Sequence, residues 1–297
     1  MKVQKLIQPL LVPPGKKISL KDYDPGYTSD LVKKEGAAAL LQKGVQLLSD
    51  YQDKLYAQDT HALLIILQAM DAAGKDSAIK HVMSGLNPQG CQVYSFKAPS
   101  AEELDHDYLW RNVNALPERG RMGIFNRSYY EEVLVVRVHP ELLERQRLPA
   151  EARTQEIWKS RFDAINHFEN YLVANGIVVV KFFLNVSKQE QKKRFLERID
   201  QPEKNWKFST ADAKERDFWD DYMNAYEEVF THTSTKWAPW YIIPADHKWF
   251  TRLAVAAVIV ATMQEINPQY PRMNQAQRKE LLKAKELLLK ERPARGR

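Results

Sequence analysis

Apolar positions along this chain fall into two periods, and each switch between them marks a new element. From Glu35 to Gln58, Leu40, Leu41, Val45, Leu47, Leu48, Tyr51 and Leu55 recur at helical spacing and predict one amphipathic helix. Leu63 to Leu67 is an unbroken apolar run that reads as a buried strand, and a helix is predicted from Lys75 to about Gly85, where glycine can end it. The alternation continues with a strand at Val93 to Phe96, a helix from Ala101 to Leu116 with Leu104, Tyr108 and Leu109 inward, and a strand at Met122 to Phe125. A long helix from Thr154 to Ala174 precedes Ile177 to Leu184, which reads as a central parallel strand. Ser187 caps a basic helix, Trp240 to Ile243 forms a last short strand, and an apolar helix runs from Asp246 to about Glu265. Strands alternating with helices of this length imply an α/β fold with a parallel sheet covered on both faces, and ligands at the carboxyl ends of its strands.

The flanks break the pattern. Residues 1–36 carry Pro9, Pro13, Pro14 and Pro25 without a sustained period, so an extended arm over the surface is expected. One domain, 37–270, follows, with a lid around 187–220. In the tail, 271–297, Leu281, Leu282, Leu287, Leu288 and Leu289 offer an apolar stripe to the domain or to a neighbouring subunit, or belong to a solvated helix. Cys91 is the sole cysteine among 297 residues, which excludes an intrachain disulfide or a zinc-thiolate site. The N-terminus lacks a signal-peptide pattern and Leu253 to Met263 is too short to span a bilayer, so the expectation is a soluble cytoplasmic protein with no membrane partner. A net charge of +6 is only a hint of an anionic partner. The histidines show no ligand spacing and no nucleophile elbow is present, against a hydrolase built on covalent catalysis.

The chemistry concentrates in Gln68-Ala69-Met70-Asp71-Ala72-Ala73-Gly74-Lys75-Asp76, where a strand passes through a small-residue loop into a helix opened by Gly-Lys. Backbone N–H groups of such a loop and a helix N-terminus surround an anion, and the lysine adds a mobile positive charge. Against the pattern G-x-x-x-x-G-K-[ST], Ala69 replaces the first glycine and Asp76 the metal-binding hydroxyl. Asp71 adds a carboxylate inside the loop, which beside phosphate requires a divalent cation or a proton shared with the acceptor. Phosphate contacts are therefore expected from Ala72, Ala73, Gly74, Lys75 and Asp76.

After the strand at Met122 comes Asn126-Arg127-Ser128-Tyr129-Tyr130-Glu131-Glu132. Asn126 occupies the place of a magnesium-directed acid, which Glu131 or Glu132 could restore, and Arg127 is a candidate phosphoryl clamp. Further on, Lys188 with Lys192 and Arg194 with Arg198 fall four residues apart on a helix, a candidate polyanion track whose alternative is a solvated charged face. The basic insertion Lys204 to Thr210, with Lys214 and Arg216, has the make-up of a lid.

Together these motifs resemble the second polyphosphate kinase family, through the loop 68–76, Asp105-His106-Asp107-Tyr108-Leu109-Trp110-Arg111, Phe125 to Glu131, Asn205-Trp206-Lys207-Phe208 and Ala238 to Asp246. The resemblance implies a thymidylate-kinase-like P-loop fold, a three-layer sandwich with a helical lid. It implies phosphoryl transfer from inorganic polyphosphate to AMP and ADP, giving ADP and ATP, reversibly and with Mg2+ (or Mn2+). By position, Asp71, Gly74 and Lys75 match its first motif, Arg127 its second, and Arg194 and Arg198 its lid. Asn126-Arg127-Ser128 followed by an acidic residue looks like the branch accepting both nucleotides. The expected site is then catalytic Asp71, Lys75 and Arg127; acceptor contacts from Asn126, Arg127, Tyr130 and Glu131; metal on Asp71, Glu131 and Glu132; and a polyphosphate track along Lys188, Lys192 and Arg198. A homo-oligomer, dimer or tetramer, without nucleic acid is expected. An ATP-dependent nucleotide kinase of the same fold, or a non-catalytic polyanion-binding protein, is the alternative.

Overall fold

The computed structural model describes residues 3–290. Five parallel strands, β1 (Ala62–Gln68), β2 (Cys91–Ser95), β3 (Met122–Asn126), β4 (Ile177–Asn185) and β5 (Trp240–Pro244), form a sheet in the order β2-β3-β1-β4-β5. β1 pairs with β3 on one side and β4 on the other, and every residue of β1 is buried, which is why its apolar run does not alternate. The register sets Leu67 against both Asn126 and Phe182, so the loops after β1 and β3 open at one level of the sheet, while β4 runs on to Asn185 at the same end. Ser95 pairs with Asn126 at the same level.

The principal helices are α1 (Lys34–Gln58), α2 (Lys75–Val82), α3 (Ala101–Asp105), α4 (Trp110–Val113), α5 (Ile157–Ala174), α6 (Lys188–Asp200), α7 (Thr210–Lys214), α8 (Trp219–Thr233), α9 (Lys248–Ile266) and α10 (Gln275–Lys290). α9 packs against α1, α2 and the strands β4 and β5, while α5 lies on β4 and carries α8. The result is three layers with an apolar core on both sheet faces.

Four expectations change. The helix expected over 101–116 is broken at His106, because the Asp107 carboxylate accepts the Leu109 amide at 2.9 Å and His106 stacks on Trp110. The arm expected over the surface is in part core: Leu6, Leu10 and Val12 are buried, and the Val12 amide donates to the Trp240 carbonyl at 2.9 Å, covering the β5 edge. The helix expected from Asp246 to about Glu265 forms as α9, but the stretch apolar enough to cross a bilayer by length and composition is its whole 19 residues and not Leu253 to Met263 alone, and Leu253, Val255, Val258 and Ile259 are buried in the core. Finally, α8 was not anticipated, although Trp219, Tyr222, Tyr226, Val229 and Phe230 bury one helical face.

Candidate active site

The loop after β1 turns on two left-handed residues, Ala72 (φ +60°) and Gly74 (φ +113°). Only glycine adopts the second conformation without strain, so Gly74 is required by the turn. The Ala73 amide closes the turn on the Met70 carbonyl at 3.3 Å, and the Ala78 amide bonds Gly74 O at 2.9 Å as α2 begins. The Lys75 ammonium folds back over the loop and donates to Ala69 O at 2.8 Å. Burial first, and the charge of Arg127 second, lower its pKa to about 8, against the opposing pull of Asp71, Glu131 and Asp76.

β3 delivers the second wall. Arg127 adopts a left-handed φ of +66°, and its amide bonds Leu67 O at 3.0 Å, which aims its side chain back across the loop. Its guanidinium contacts Asp71 Oδ1 at 2.9 Å and Glu131 Oε2 at 3.7 Å. The Asn126 amide donates to Asp76 Oδ1 at 2.7 Å and to Ser95 Oγ at 3.2 Å, so the two residues that depart from the familiar motif hold each other.

These groups line a cleft of about 690 Å³. Asp71, Ala72, Ala73, Gly74, Lys75, Asp76, Asn126, Arg127 and Arg198 all lie on its wall, as expected for a phosphate site at the carboxyl ends of the strands. Its two sides differ. Toward β2 and β3 are Ser95, the Phe96 ring with Arg111 over it at 5.4 Å, and Lys97; toward β4, β5 and the lid are five cations, Arg198, Lys204, Lys207, Lys248 and Arg252, with the Trp206 ring and the carboxylates Glu197 and Asp212. Asp212, from α7 in the lid, also faces the cleft, and burial first and the Asp71 charge second raise its pKa.

Several expected site residues lie elsewhere. Tyr130 is fully buried: its hydroxyl donates to Glu169 Oε1 at 2.8 Å and accepts from Lys181 Nζ at 2.8 Å, so it has no part in holding a nucleotide. Glu132 turns away from the cleft to Arg161, 3.1 Å, and Gln146, 2.7 Å, which removes it from the metal set. Glu131 sits behind Arg127 rather than on the cleft wall, and burial lifts its carboxyl above the usual range. Lys188 and Lys192 are exposed and do not line the cleft; Lys188 lies over the Trp219 ring, and six residues of helix place Lys192 and Arg198 on different faces. Arg194 reaches the wall, but its N–H groups bond Ala72 O, Ala73 O, Ala245 O, Asp246 O and Glu190, leaving no donor directed at a phosphate. The track along Lys188, Lys192 and Arg198 is therefore replaced by the side formed by α6, the lid and α9.

Phe96, Lys97, Asp212, Lys248 and Arg252 were not anticipated. Lys248 and Arg252 carried one readable signal, two cations four residues apart at the start of an otherwise apolar helix. Phe96, Lys97 and Asp212 carried none, because only the tertiary fold brings them to the loop. Among the described residues no group of three or more His, Cys, Asp or Glu side chains converges as a metal cage. The carboxylates at the cleft suit instead a cation bound by one or two side chains and by substrate phosphates, with Asp71 one-third exposed there.

Comparison with known proteins agrees with this geometry. The family described as Polyphosphate kinase 2 matches residues 30–271. The chain is 54% identical over 281 residues to the ADP-polyphosphate phosphotransferase of Rhodopseudomonas palustris, covering 93% of this chain and 96% of that one. It is 42% identical to the AMP/ADP-polyphosphate phosphotransferase of Meiothermus ruber, covering 90% and 97% of the two chains. A crystal structure of polyphosphate kinase 2 from Arthrobacter aurescens superposes with a TM-score of 0.80 at 40% identity, over 92% of this chain and 95% of that one.

Proposed function

This chain belongs to the polyphosphate kinase 2 family, and we propose that it moves the terminal phosphoryl group of inorganic polyphosphate to ADP and AMP. The observation that carries the reading is the uneven cleft: an anion-binding loop with a cationic side fit for a polyanion and, opposite it, a side with an aromatic ring and an amide fit for a nucleotide. Phosphoryl transfer asks for alignment and charge compensation more than for covalent chemistry. Lys75 meets the transferring phosphoryl oxygens, and Arg127, clamped between Asp71 and Glu131, offsets the charge that spreads over them. Arg198, Lys204, Lys248 and Arg252 hold the remaining polymer; Phe96, Lys97 and Asn126 face the acceptor.

Asp71, with Asp76 and Asp212 nearby, would hold magnesium, with manganese as a substitute. When bound, the ion supplies charge neutralisation between phosphoryl oxygens. Asp71→Asn is expected to lower kcat about a hundredfold and to raise the magnesium concentration for half-activity. Magnesium titrations of both forms check this; unchanged turnover and metal dependence would remove Asp71 from the site.

Each charge-assisted contact to phosphate contributes about 1.5–3 kcal/mol, so Lys248→Ala with Arg252→Gln should raise KM for long polyphosphate by tenfold or more. KM for ADP should hardly move, and Lys188→Ala with Lys192→Ala should leave both constants as they are. Equal effects from the two pairs in initial-rate measurements would contradict the placement of the polymer.

The relatives named for ADP alone and for both nucleotides leave the acceptor range to experiment. Following products by chromatography with polyphosphate and AMP tests it: ADP and then ATP are expected, and an inert AMP reaction beside an active ADP reaction would restrict the acceptor to ADP. The reading places the enzyme in the cytoplasm as a homo-oligomer, for which the exposed Leu281, Leu287 and Leu288 of α10 provide an apolar face. It requires no nucleic acid or membrane.

A further inference from the structure

The carbonyls of the phosphate loop are held from outside by the root of the lid. Arg194, on α6, is 5% exposed; its Nη1 donates to Ala72 O at 3.0 Å and Ala73 O at 2.7 Å, and its Nη2 to Ala245 O at 2.6 Å. Glu190 fixes the same guanidinium through Nε at 2.9 Å. One turn earlier, Gln191 donates to Asp71 O at 3.0 Å and accepts from Arg216 at 2.5 Å. Arg216 lies where the chain returns from the lid and also bonds Lys188 O at 3.0 Å, so the outgoing end of the lid holds three successive carbonyls of the loop and the returning end braces Gln191.

A peptide unit is planar and its C=O and N–H point opposite ways. Drawing the Asp71 and Ala73 oxygens outward therefore turns the N–H groups of Ala72 and Gly74 toward the cleft, while the Ala73 amide closes the turn on Met70 O. A Cβ built on Gly74 would lie 3.9 Å from Arg194 Nη1, so the guanidinium packs closely against the peptide whose carbonyl it holds.

We propose that Arg194 and Gln191 are positioning residues that aim the loop N–H groups at the bound phosphate and tie that aim to the seating of the lid. They act through the loop backbone and not as phosphate ligands. The kinetic consequence rests on the phosphoryl-transfer reading; the geometric one requires only that the loop binds an anion.

The test compares wild type, Arg194→Lys and Gln191→Met. Lysine keeps the charge but gathers its donors on one atom, and so cannot span the carbonyls of Ala72, Ala73 and Ala245. In Arg194→Lys, kcat should fall about a hundredfold while KM for polyphosphate stays within about threefold, because misaimed donors cost the transition state most. Gln191→Met preserves side-chain size and should lose about tenfold in kcat by the same mechanism, which decides the matter should the lysine variant not fold. Independently of turnover, glycine-selective 15N spectra with tripolyphosphate alone should show the Gly74 amide proton moving downfield in wild type and by less than half as much in the variants. A wild type inert toward polyphosphate would refute the phosphoryl-transfer reading, and the Gly74 shift would still decide the positioning. Wild-type Gly74 shifts in both variants, or a raised KM with unchanged kcat in Arg194→Lys, would overturn the proposal.

Discussion

Lys75→Met lowers kcat/KM for polyphosphate by about a thousandfold, since it removes the charge that a buried anion loop places against the transferring group. Methionine is close in size to the buried lysine stem, so the loss is expected to be chemical and not one of folding; the thermal midpoint should change little. The same residue sets a pH limit. In the free enzyme the ammonium is retained below about pH 8 and lost above it, because burial opposes the charged form. kcat/KM, which reports the free enzyme, should therefore decline above about pH 8, whereas kcat should hold to higher pH because bound phosphate stabilises the ammonium. Lys75→Arg, whose guanidinium does not titrate, should abolish the decline. A decline that survives in Lys75→Arg would assign it to another group.

Lys181→Met is expected to be the most destabilising single change. Lys181 projects from the middle of β4 with no exposed side-chain surface and bonds Glu169 Oε2 at 2.6 Å, Tyr130 Oη at 2.8 Å and Thr233 O at 2.8 Å. Tyr129 donates to Glu169 at 2.8 Å, and the Trp240 indole reaches Thr233 Oγ1 at 2.9 Å, so the network joins β4, α5, α8, β5 and the turn after β3. Removing the cation alone leaves a buried carboxylate without its counter-charge, at a cost of about 3–5 kcal/mol. Denaturant unfolding should show that loss, and Glu169→Gln in the same chain, which removes the charge but keeps an acceptor for the Tyr129 and Tyr130 hydroxyls, should recover part of it. A Lys181→Met protein within about 1 kcal/mol of wild type would mean that the pair contributes little to stability. Tyr130 also anchors the turn that carries Arg127 and Glu131, so the variant should lose turnover as well.

The contrast between these two lysines shows where the sequence is legible. Lys75 stands at a boundary that local rules describe: an apolar run too short for a core helix, small residues in a turn, and a helix opening at Gly74, whose φ of +113° glycine alone tolerates. Asp71, Asn126 and Arg127 could be placed for the same reason, since each follows the carboxyl end of a parallel strand. Lys181 sits inside a run of valines and phenylalanines, and a lone charge there signals a buried partner without naming it. The partner, Glu169, lies on α5, and once it is in place Tyr130 belongs to the core instead of the cleft. Arg194 illustrates the converse problem. Its helical spacing from Arg198 is real, but its partners are carbonyls some 120 positions earlier in the chain, and no periodicity records them. Charges were therefore readable as charges, while the assignment of each to solvent, core or cleft depended on the fold.

The most direct measurement of the central claim supplies purified enzyme with magnesium, ADP and polyphosphate labelled with 32P, no nucleoside triphosphate being added. Label in the γ-phosphoryl group of ATP, formed in proportion to enzyme and abolished in Lys75→Met, is the predicted result. Unlabelled ADP recovered intact from wild type under the same conditions, with net transfer appearing only when ATP is supplied as donor to AMP and two ADP are formed, would contradict it.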